Sequence, residues 1–488
     1  MSAPQQPSPS GARAITGAVR AGDLTPERSA REAFARGDLA RVGPEGLNAL
    51  LWTDREATLK EARRVDTRTA FPNPGLLSGV PVAVKDNIAT TVLPTSCGSR
   101  ILEGYVSPFE ATAITRLRNA GAVIIGKTNM DEFAMGSSTE NSAYGPARNP
   151  RDASRVPGGS SGGSAAVVAA GMVPLALGSE TGGSVRQPAA FCGIVGVKPT
   201  YGRVSRYGLV AFASSLDQIG VFGATVDDAA LGMEAIAGHD PMDATSADVP
   251  VERYGDAAGA SLKGLVIGRP KEYFPDFLDA RIRARCERAF EAFRQLGAEV
   301  RDVSLPHTGL AIPVYYIIAP AEASSNLARF DGVRYGVREA AGSLAGTYEA
   351  TRSRGFGREV TRRILLGTYV LSAGYYDAYY RKAQQVRTLI ADDFRSVFAS
   401  GVHLLFTPTT PSPAFELGAK SADPLEMYLS DIFTATANLA GVPAMSQPIG
   451  LVDGLPVGGQ LIAPHFDEAR MFGAAYALEK ALGAEAMR

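Results

Sequence analysis

The sequence is poor in cysteine, histidine and tryptophan. Its 488 residues include three cysteines, four histidines and one tryptophan. Cys97, Cys192 and Cys286 are widely spaced, a pattern that fits neither a disulfide framework nor a zinc site. This scarcity predicts a reducing compartment. The polar, proline-rich start MSAPQQPSPS has no apolar signal region behind it, so we expect a cytoplasmic protein.

The sequence also lacks an excess of charge and a long apolar run. Lysine and arginine total 49 against 50 acidic residues, for a net charge of −1, which argues against broad affinity for nucleic acid or anionic membrane. No apolar stretch reaches the roughly 18 residues that a membrane span needs. With 45% hydrophobic residues, the composition is typical of a globular protein.

Short apolar runs alternate with amphipathic stretches along most of the chain. This alternation predicts an α/β fold with a mixed central sheet covered by helices. Residues 25–65 read as helices, with Thr25 as N-cap and Pro26 at the first helical position. Residues 1–20 are predicted to be a flexible segment, and residues 339–358 a mobile loop. The predicted strands cover 80–84, 122–125, 173–177, 264–267, 403–406 and 459–462, and two predicted helices cover 110–120 and 164–170.

Two motifs match known patterns without fitting their structural context. Gly121–Thr128 has the spacing of a phosphate-binding loop, but its four variable residues, Ala-Val-Ile-Ile, are themselves a strand. Gly158–Gly162 matches the nucleophile elbow of α/β-hydrolases, a chemistry that also needs a histidine. Only His465 is placed for that role, and a histidine beside apolar residues is more often structural.

Lys85 stands out because lysine is rare here, with nine lysines against forty arginines. It ends the apolar run Val80–Val84, where burial can lower its pKa and leave a neutral amine base. Arginine cannot act in this way. The alternative is a strand-end lysine whose ammonium reaches solvent.

Two glycine- and serine-rich segments follow predicted structure elsewhere. Residues 157–164 read Pro-Gly-Gly-Ser-Ser-Gly-Gly-Ser and lead into an alanine-rich helix. Residues 178–188 include Thr181-Gly182-Gly183-Ser184, whose backbone N–H groups can surround an oxyanion and place Ser184 beside it. Taken alone, each segment also fits an ordinary turn.

Together, Lys85-Asp-Asn, the 157–164 segment and the 178–188 segment resemble the amidase signature family in order and spacing. Lys85 and Ser160 are 75 positions apart, and Ser160 and Ser184 are 24 apart. The resemblance implies one α/β/α amidase domain over residues 21–488, with its signature core at about 80–200. It also implies a Ser–cis-Ser–Lys triad: Ser184 as nucleophile, Ser160 as bridge after a cis peptide bond, and Lys85 as base. The oxyanion hole would be residues 181–184, and neither a metal nor an organic cofactor is implied.

Further stretches resemble one branch of the family, the A subunits of glutamyl/aspartyl-tRNA amidotransferases. They are Thr128–Glu140, Glu322–Leu327, Tyr375–Tyr380 and Asp431–Thr434. This resemblance implies a glutaminase in a heterotrimer with amidotransferase subunits B and C, with no membrane partner. Its ammonia would convert Glu-tRNA(Gln), Asp-tRNA(Asn) or both. ATP, magnesium and most contacts with the mischarged tRNA would belong to the B subunit.

Glutamine carries an α-carboxylate and an α-ammonium, so its site needs a cation and an anion at a fixed separation. The resemblance suggests Arg363 and Asp431, with Tyr315 closing the pocket. Arg362 and Tyr316 remain alternatives. Without the resemblance, the arginine pair would read as an exposed helix face and Asp431 as a helix cap.

Three other functions remain open from sequence. A free-standing amidase for another small amide would share the triad and differ in the pocket. A non-catalytic scaffold protein would keep the fold alone, which the intact triad residues argue against. A nucleotide-binding protein would require the phosphate-loop interpretation of Gly121–Thr128.

Overall fold

Eleven strands form one mixed sheet within residues 10–69, 75–483 and 486, the part of the chain that the computed structural model describes. The strands are β1 (Leu50–Trp52), β2 (Pro81–Lys85), β3 (Val123–Thr128), β4 (Leu175–Glu180), β5 (Val195–Lys198), β6 (Gln218–Gly223), β7 (Val266–Pro270), β8 (Glu299–Val303), β9 (Leu404–Pro408), β10 (Ala444–Val452) and β11 (Leu455–Ile462). Their order is β1-β3-β2-β4-β6-β5-β10-β11-β9-β7-β8. Strand β2 is parallel to β3 and β4, and β7 is parallel to β8 and β9, whereas the other pairs are antiparallel.

Helices connect the strands and cover the sheet. They are α1 (Ala12–Ala21), α2 (Pro26–Leu39), α3 (Arg55–Thr69), α4 (Thr112–Asn119), α5 (Gly162–Ala169), α6 (Arg186–Cys192), α7 (Val226–Ile236), α8 (Ala280–Gln295), α9 (Ala311–Asn326), α10 (Leu344–Gly355), α11 (Arg358–Leu371), α12 (Lys382–Ala399), α13 (Pro424–Tyr428), α14 (Ala435–Ala440) and α15 (Glu468–Leu482), with a π-helix at Tyr376–Arg381. Short 3-10 turns lie at Arg100–Leu102, Glu132–Ala134, Tyr254–Ala257, Lys271–Tyr273, Thr308–Leu310, Leu327–Arg329 and Leu429–Asp431. Within the described ranges, no helix is both long and apolar enough to cross a membrane.

The buried apolar side chains lie on both faces of the sheet. Strand β2 shows why, because successive residues of a strand point to opposite faces. Val82 and Val84 join the larger hydrophobic cluster, and Ala83 joins the smaller one with Ala176 and Phe222. Strand β2 is therefore buried on both sides, which explains its continuous apolar sequence. The predicted α/β fold with a helix-covered mixed sheet is confirmed.

The local sequence signals located many elements correctly. All six predicted strands overlap observed ones, and the predicted helices at 110–120 and 164–170 correspond to α4 and α5. Helix α2 begins as expected, because the Thr25 side chain accepts a hydrogen bond from the N–H of Arg28 and Pro26 occupies the first turn.

Two segments differ from their predictions. Residues 1–9 lie outside the described residues, but residues 12–20 of the predicted flexible segment belong to α1. Ile15 and Val19 of this helix are buried in the core, and the N–H of Ala12 donates to the Asp228 carboxylate. Residues 339–358 are also not a simple loop, because α10 occupies most of them. Its N-cap Ser343 accepts from the N–H of Gly346, a local signal that the many polar and glycine residues obscured.

The phosphate-loop motif at Gly121–Thr128 is a strand, as its apolar composition indicated. Gly126 and Lys127 lie within β3. The Lys127 ammonium is fully buried and donates to the Ile88 carbonyl at 2.8 Å and the Thr95 hydroxyl at 2.9 Å. This lysine is therefore not available to a phosphate.

A buried ion pair supports the turn that follows β4. Glu180 and Arg186 have no exposed side-chain surface, and the Arg186 Nε donates to Glu180 Oε1 at 2.8 Å. Glu180 Oε2 accepts the N–H groups of Val185 and Arg186 at 2.9 and 3.0 Å. The guanidinium also donates to the side chains of Gln460 and Asn438. The pair thus ties β4 and α6 to β11 and α14.

We expect Arg186→Met to lower the free energy of unfolding by about 3–5 kcal/mol, because it leaves the Glu180 carboxylate buried without its counter-ion. Adding Glu180→Gln should recover part of this loss. Urea denaturation of the single and double variants measures both effects. Arg281→Met, which removes an exposed ion pair with Asp453, is the control and should have a much smaller effect. A loss below about 1 kcal/mol for Arg186→Met would show that the ion pair with Glu180 does not support the fold in this way.

Candidate active site

The site lies where β2 and β4 end. These neighbouring strands are parallel, so Lys85 at the end of β2 and Glu180 at the end of β4 lie at the same edge of the sheet. The glycine- and serine-rich segment leads into α5, which packs against both strands. All three predicted motifs therefore meet at one edge, as expected for an α/β fold.

Lys85 and Ser160 are in direct contact. The Lys85 Nζ lies 2.8 Å from the Ser160 Oγ and 3.1 Å from the carbonyl oxygen of Ser179. Both side chains are fully buried, and the peptide bond between Gly159 and Ser160 is cis, as the family resemblance implied. Lys85 is thus held against a serine hydroxyl and does not reach solvent.

Burial lowers the pKa of Lys85 from 10.5 to about 7, although the negative charges of Asp131, Asp217 and Glu180 oppose the change. The amine can therefore be neutral near neutral pH. Burial also lowers the pKa of Lys198 to about 7, but its ammonium donates to the carbonyl of Pro199. A lowered pKa alone does not mark the site. The contact with the Ser160 hydroxyl distinguishes Lys85.

The turn at Gly182–Ser184 presents free backbone donors. The N–H groups of these three residues have no acceptor among the described residues. Ser184 keeps 6% of its surface accessible whereas Ser160 keeps none, so Ser184 is the serine that a ligand can reach. Free N–H groups beside an accessible hydroxyl are the arrangement that stabilises an oxyanion.

Two side chains pack directly on this turn. A Cβ added to Gly182 would lie 2.9 Å from the Tyr315 ring, and one added to Gly183 would lie 2.6 Å from Asp431 Oδ1. The Tyr315 hydroxyl is 2.9 Å from the Thr181 hydroxyl. Tyr315 and Asp431 therefore both lie against the predicted oxyanion hole, residues 181–184.

Asp431 is a buried carboxylate with one oxygen unused. Its Oδ2 accepts from the Ser137 hydroxyl at 2.5 Å, whereas Oδ1 is buried without a hydrogen-bond partner among the described residues. Burial raises its pKa to about 7. A cation at Oδ1 would supply the missing partner and favour the ionised form.

The structure distinguishes Arg363 from Arg362. The Arg363 side chain is 3% exposed and its Nε donates to Glu359 at 2.8 Å, whereas the Arg362 side chain is 37% exposed. The Arg363 guanidinium lies over the rings of Tyr316 and Tyr428, 5.2 and 5.3 Å from their centroids. Its two terminal amino groups have no hydrogen-bond partner within the described ranges. Arg363 and Arg362 both line a cavity of about 260 Å³ that extends to Gly136 and Ser138.

Sequence reasoning missed the residues that hold this arrangement together. Gln187 accepts from the N–H of Gly159 and donates to the carbonyl of Ser137, which links two loops of the site. Glu359 accepts from both Arg363 and the Tyr428 hydroxyl. Gln187 lies inside the 178–188 segment, so the sequence could have indicated it. No local pattern connects Glu359 with Tyr428.

The alternative base, His465, lies elsewhere. It is exposed beside Gly441, and desolvation together with the nearby Lys198 charge lowers its pKa. Among the described residues, no histidine forms a hydrogen bond with Ser160 or Ser184. Lys85 is therefore the basic side chain that the structure places against a serine of the site.

Comparison with known proteins identifies the family of the chain. The family model "Amidase" matches residues 39–472. The chain is 57% identical over 471 residues to the A subunit of glutamyl-tRNA(Gln) amidotransferase from Carboxydothermus hydrogenoformans, covering 96% of each protein, and 59% identical over 444 residues to that of Koribacter versatilis, covering 90% and 92%. The crystal structure of the A subunit from Thermotoga maritima superimposes with a TM-score of 0.78 at 43% identity, covering 96% of this chain and 94% of the other.

The chain therefore belongs to the amidase family. Within that family it groups with the A subunits of glutamyl-tRNA(Gln) amidotransferases.

We expect Lys85 to titrate near pH 7 because it is fully buried. NMR of the protein with isotope-labelled lysine measures the midpoint, and Lys85→Met assigns the signal. Lys198→Met identifies the other buried lysine with a pKa of about 7 and is the matched control. A Lys85 midpoint at or above its usual value of 10.5 would show that the amine stays charged and cannot be a base at neutral pH.

Proposed function

We propose that this chain is the glutaminase component of a tRNA-dependent amidotransferase. It hydrolyses glutamine and supplies ammonia for the conversion of Glu-tRNA(Gln) to Gln-tRNA(Gln), Asp-tRNA(Asn) to Asn-tRNA(Asn), or both. The observation that carries the proposal is the carboxylate oxygen Oδ1 of Asp431, which has no hydrogen-bond partner among the described residues and lies against Gly183 on the turn that holds Ser184. An α-ammonium is the substrate group that this oxygen fits best.

The reaction begins with the neutral amine of Lys85. Lys85 takes the proton of the Ser160 hydroxyl, Ser160 takes that of Ser184, and Ser184 Oγ attacks the carboxamide carbon of glutamine. The N–H groups of residues 181–184 hold the oxyanion. Collapse of this intermediate breaks the C–N bond, and the proton returns through the relay to the departing ammonia. Water then hydrolyses the γ-glutamyl ester to glutamate, so that one glutamine and one water give glutamate and ammonia.

Arg363 and Asp431 bind opposite ends of the amino-acid part of the substrate. The terminal amino groups of Arg363 can hold the α-carboxylate in a bidentate contact, and Asp431 Oδ1 accepts from the α-ammonium. Tyr315 packs against Gly182 and closes the pocket at the oxyanion turn. A substrate without the α-carboxylate would leave the terminal amino groups of Arg363 without that acceptor, although Glu359 still pairs with Nε. One without the α-ammonium would leave Asp431 Oδ1 buried without a donor among the described residues, which is costly.

The other steps belong to partner proteins. The relatives are named as A subunits, which supports a complex, and we propose a heterotrimer with amidotransferase subunits B and C. The B subunit would bind ATP and magnesium and make most contacts with the mischarged tRNA, and this chain would need no cofactor. The net charge of −1 fits this division, because a dedicated tRNA-binding chain is usually basic. A cytoplasmic location stays a prediction from the sequence.

Ser184→Ala tests the proposed function. In the assembled complex it should abolish glutamine hydrolysis and glutamine-dependent amidation, because the nucleophile is lost. Amidation with added ammonium salt should remain near the wild-type rate, since ammonia bypasses Ser184, and this reaction is the internal control for folding and assembly. Measurement of glutamate release and of amidated tRNA with each nitrogen source separates the outcomes. Retained glutamine hydrolysis would eliminate Ser184 as nucleophile.

Arg363→Ala and Asp431→Asn test the substrate. Each removes a charge-assisted contact with one end of glutamine, and a single charge-assisted hydrogen bond contributes about 1.5–3 kcal/mol, so kcat/KM for glutamine should fall by at least roughly ten- to a hundredfold. A truncated amide without the α-carboxylate should be insensitive to Arg363→Ala, and one without the α-ammonium insensitive to Asp431→Asn. Arg362→Ala, at the more exposed neighbour, is the matched control. It should leave kcat/KM for glutamine and for both truncated amides nearly unchanged. Equal losses on every substrate would indicate a free-standing amidase for another amide, or purely structural residues.

A further inference from the structure

Two adjacent acidic residues, Asp131 and Glu132, are buried between the 157–164 segment, which carries Ser160, and the beginning of α11, and the proposed reaction uses neither. They lie in Thr128–Glu140, one of the stretches that resemble the A subunits. Asp131 and Glu132 are 0% and 3% exposed, which is rare for carboxylates unless they are well paired. Asp131 accepts hydrogen bonds from the loop at Thr139–Asn141, whereas Glu132 accepts one from Gly357 at the beginning of α11.

Asp131 holds the loop around Ser160. Its Oδ2 accepts the N–H of Thr139 at 2.8 Å, and its Oδ1 accepts the N–H of Asn141 at 3.1 Å. A Cβ added to Gly159 would lie 2.2 Å from Asp131 Oδ2, and the Asp131 N–H donates to the Ser160 carbonyl. The position of the bridging serine is therefore fixed relative to Asp131.

Glu132 holds the beginning of α11. Its Oε2 accepts the N–H of Gly357 at 2.8 Å, and its Oε1 accepts the Ser99 hydroxyl at 2.5 Å. Gly357 is the N-cap of α11 and has no side chain to cap the helix itself. A carboxylate at a helix N-terminus both satisfies an unpaired N–H and interacts favourably with the helix dipole.

Helix α11 carries the group that we assign to the substrate α-carboxylate. Arg363 lies six residues after Gly357, about 9 Å along the helix axis at 1.5 Å per residue. A shift of the helix at Gly357 is therefore transmitted to Arg363. Asp131 and Glu132 are joined by one peptide unit. The 157–164 segment and the beginning of α11 are therefore both held by the same short stretch of backbone.

We propose that Glu132 is a positioning residue for substrate recognition: it fixes α11, and with it Arg363, at a set distance from the Ser160 loop that Asp131 holds. The proposal rests on the proposed function, in that glutamine must span from Ser184 to Arg363. A small misplacement of a binding group is enough to weaken a productive substrate pose. Glu132 touches neither the substrate nor the triad, so its effect is specific to substrates that use Arg363.

The test compares glutamine with a small reactive ester in the assembled complex. Glu132→Ala should raise KM for glutamine about tenfold, while acylation by 4-nitrophenyl acetate, which does not use Arg363, should stay within about twofold. Glu132→Gln keeps an acceptor for the Gly357 N–H, so its KM for glutamine should stay close to the wild-type value. Gly357→Ala perturbs the same contact from the helix side, because its Cβ would lie 2.4 Å from Glu132 Oε2, and should raise the glutamine KM as well.

Glu272→Ala is the matched control. The Glu272 carboxylate also accepts one serine hydroxyl, that of Ser304, and one backbone N–H, that of Leu305 at 2.9 Å. Its loss should lower thermal stability without changing the ratio of glutamine to ester activity. Glu132 is merely structural if Glu132→Ala and Gly357→Ala show the same ratio of glutamine to ester activity as Glu272→Ala. The same conclusion follows if they lower glutamine and ester activity equally. If the wild-type complex hydrolyses no glutamine, the proposed function fails first, a result distinct from either.

Discussion

The buried pair of Glu180 and Arg186 is the interaction on which the site depends. Burial opposes ionisation of Glu180, yet Arg186 holds its pKa below the usual value. The carboxylate takes the N–H groups of Val185 and Arg186, which fixes the end of the turn that carries Ser184. The guanidinium also donates to the carbonyl of Thr434, three residues after Asp431. One ion pair therefore supports both the nucleophile turn and the segment that bears the proposed α-ammonium acceptor.

Close approach, more than flexibility, explains the glycines around the triad. Gly159, Gly182 and Gly183 each face a functional neighbour at a distance that leaves no room for a Cβ: the Asp131 carboxylate, the Tyr315 ring and the Asp431 carboxylate. These contacts bring charged and aromatic groups against the backbone that carries the serines. The glycine-rich sequence, which alone fits a mobile turn, thus belongs to a rigid and densely packed site.

The sequence predicted the parts of the molecule whose signals are local. Lys85 at the end of an apolar strand, the serines in their glycine-rich segments and the Thr25 cap could each be read from a few consecutive residues. Strands β1 and β5 are three and four residues long and leave too little pattern to detect. Gln460 gives no indication that it meets Arg186, because their contact joins positions 274 apart. Partners of this kind, including Tyr428 with Glu359, become visible only when the sheet order and helix packing are known.

In the proposed reaction, Ser184 is activated through Ser160 and Lys85 and attacks the side chain of a bound glutamine. The most direct measurement is peptide mapping by mass spectrometry after reaction with a glutamine analogue that carries a diazomethyl ketone in place of the carboxamide. We predict a single adduct on Ser184, which excess glutamine prevents and Lys85→Ala greatly slows. An adduct on Ser160 or on another residue, which excess glutamine also prevents, would show that Ser184 is not the nucleophile.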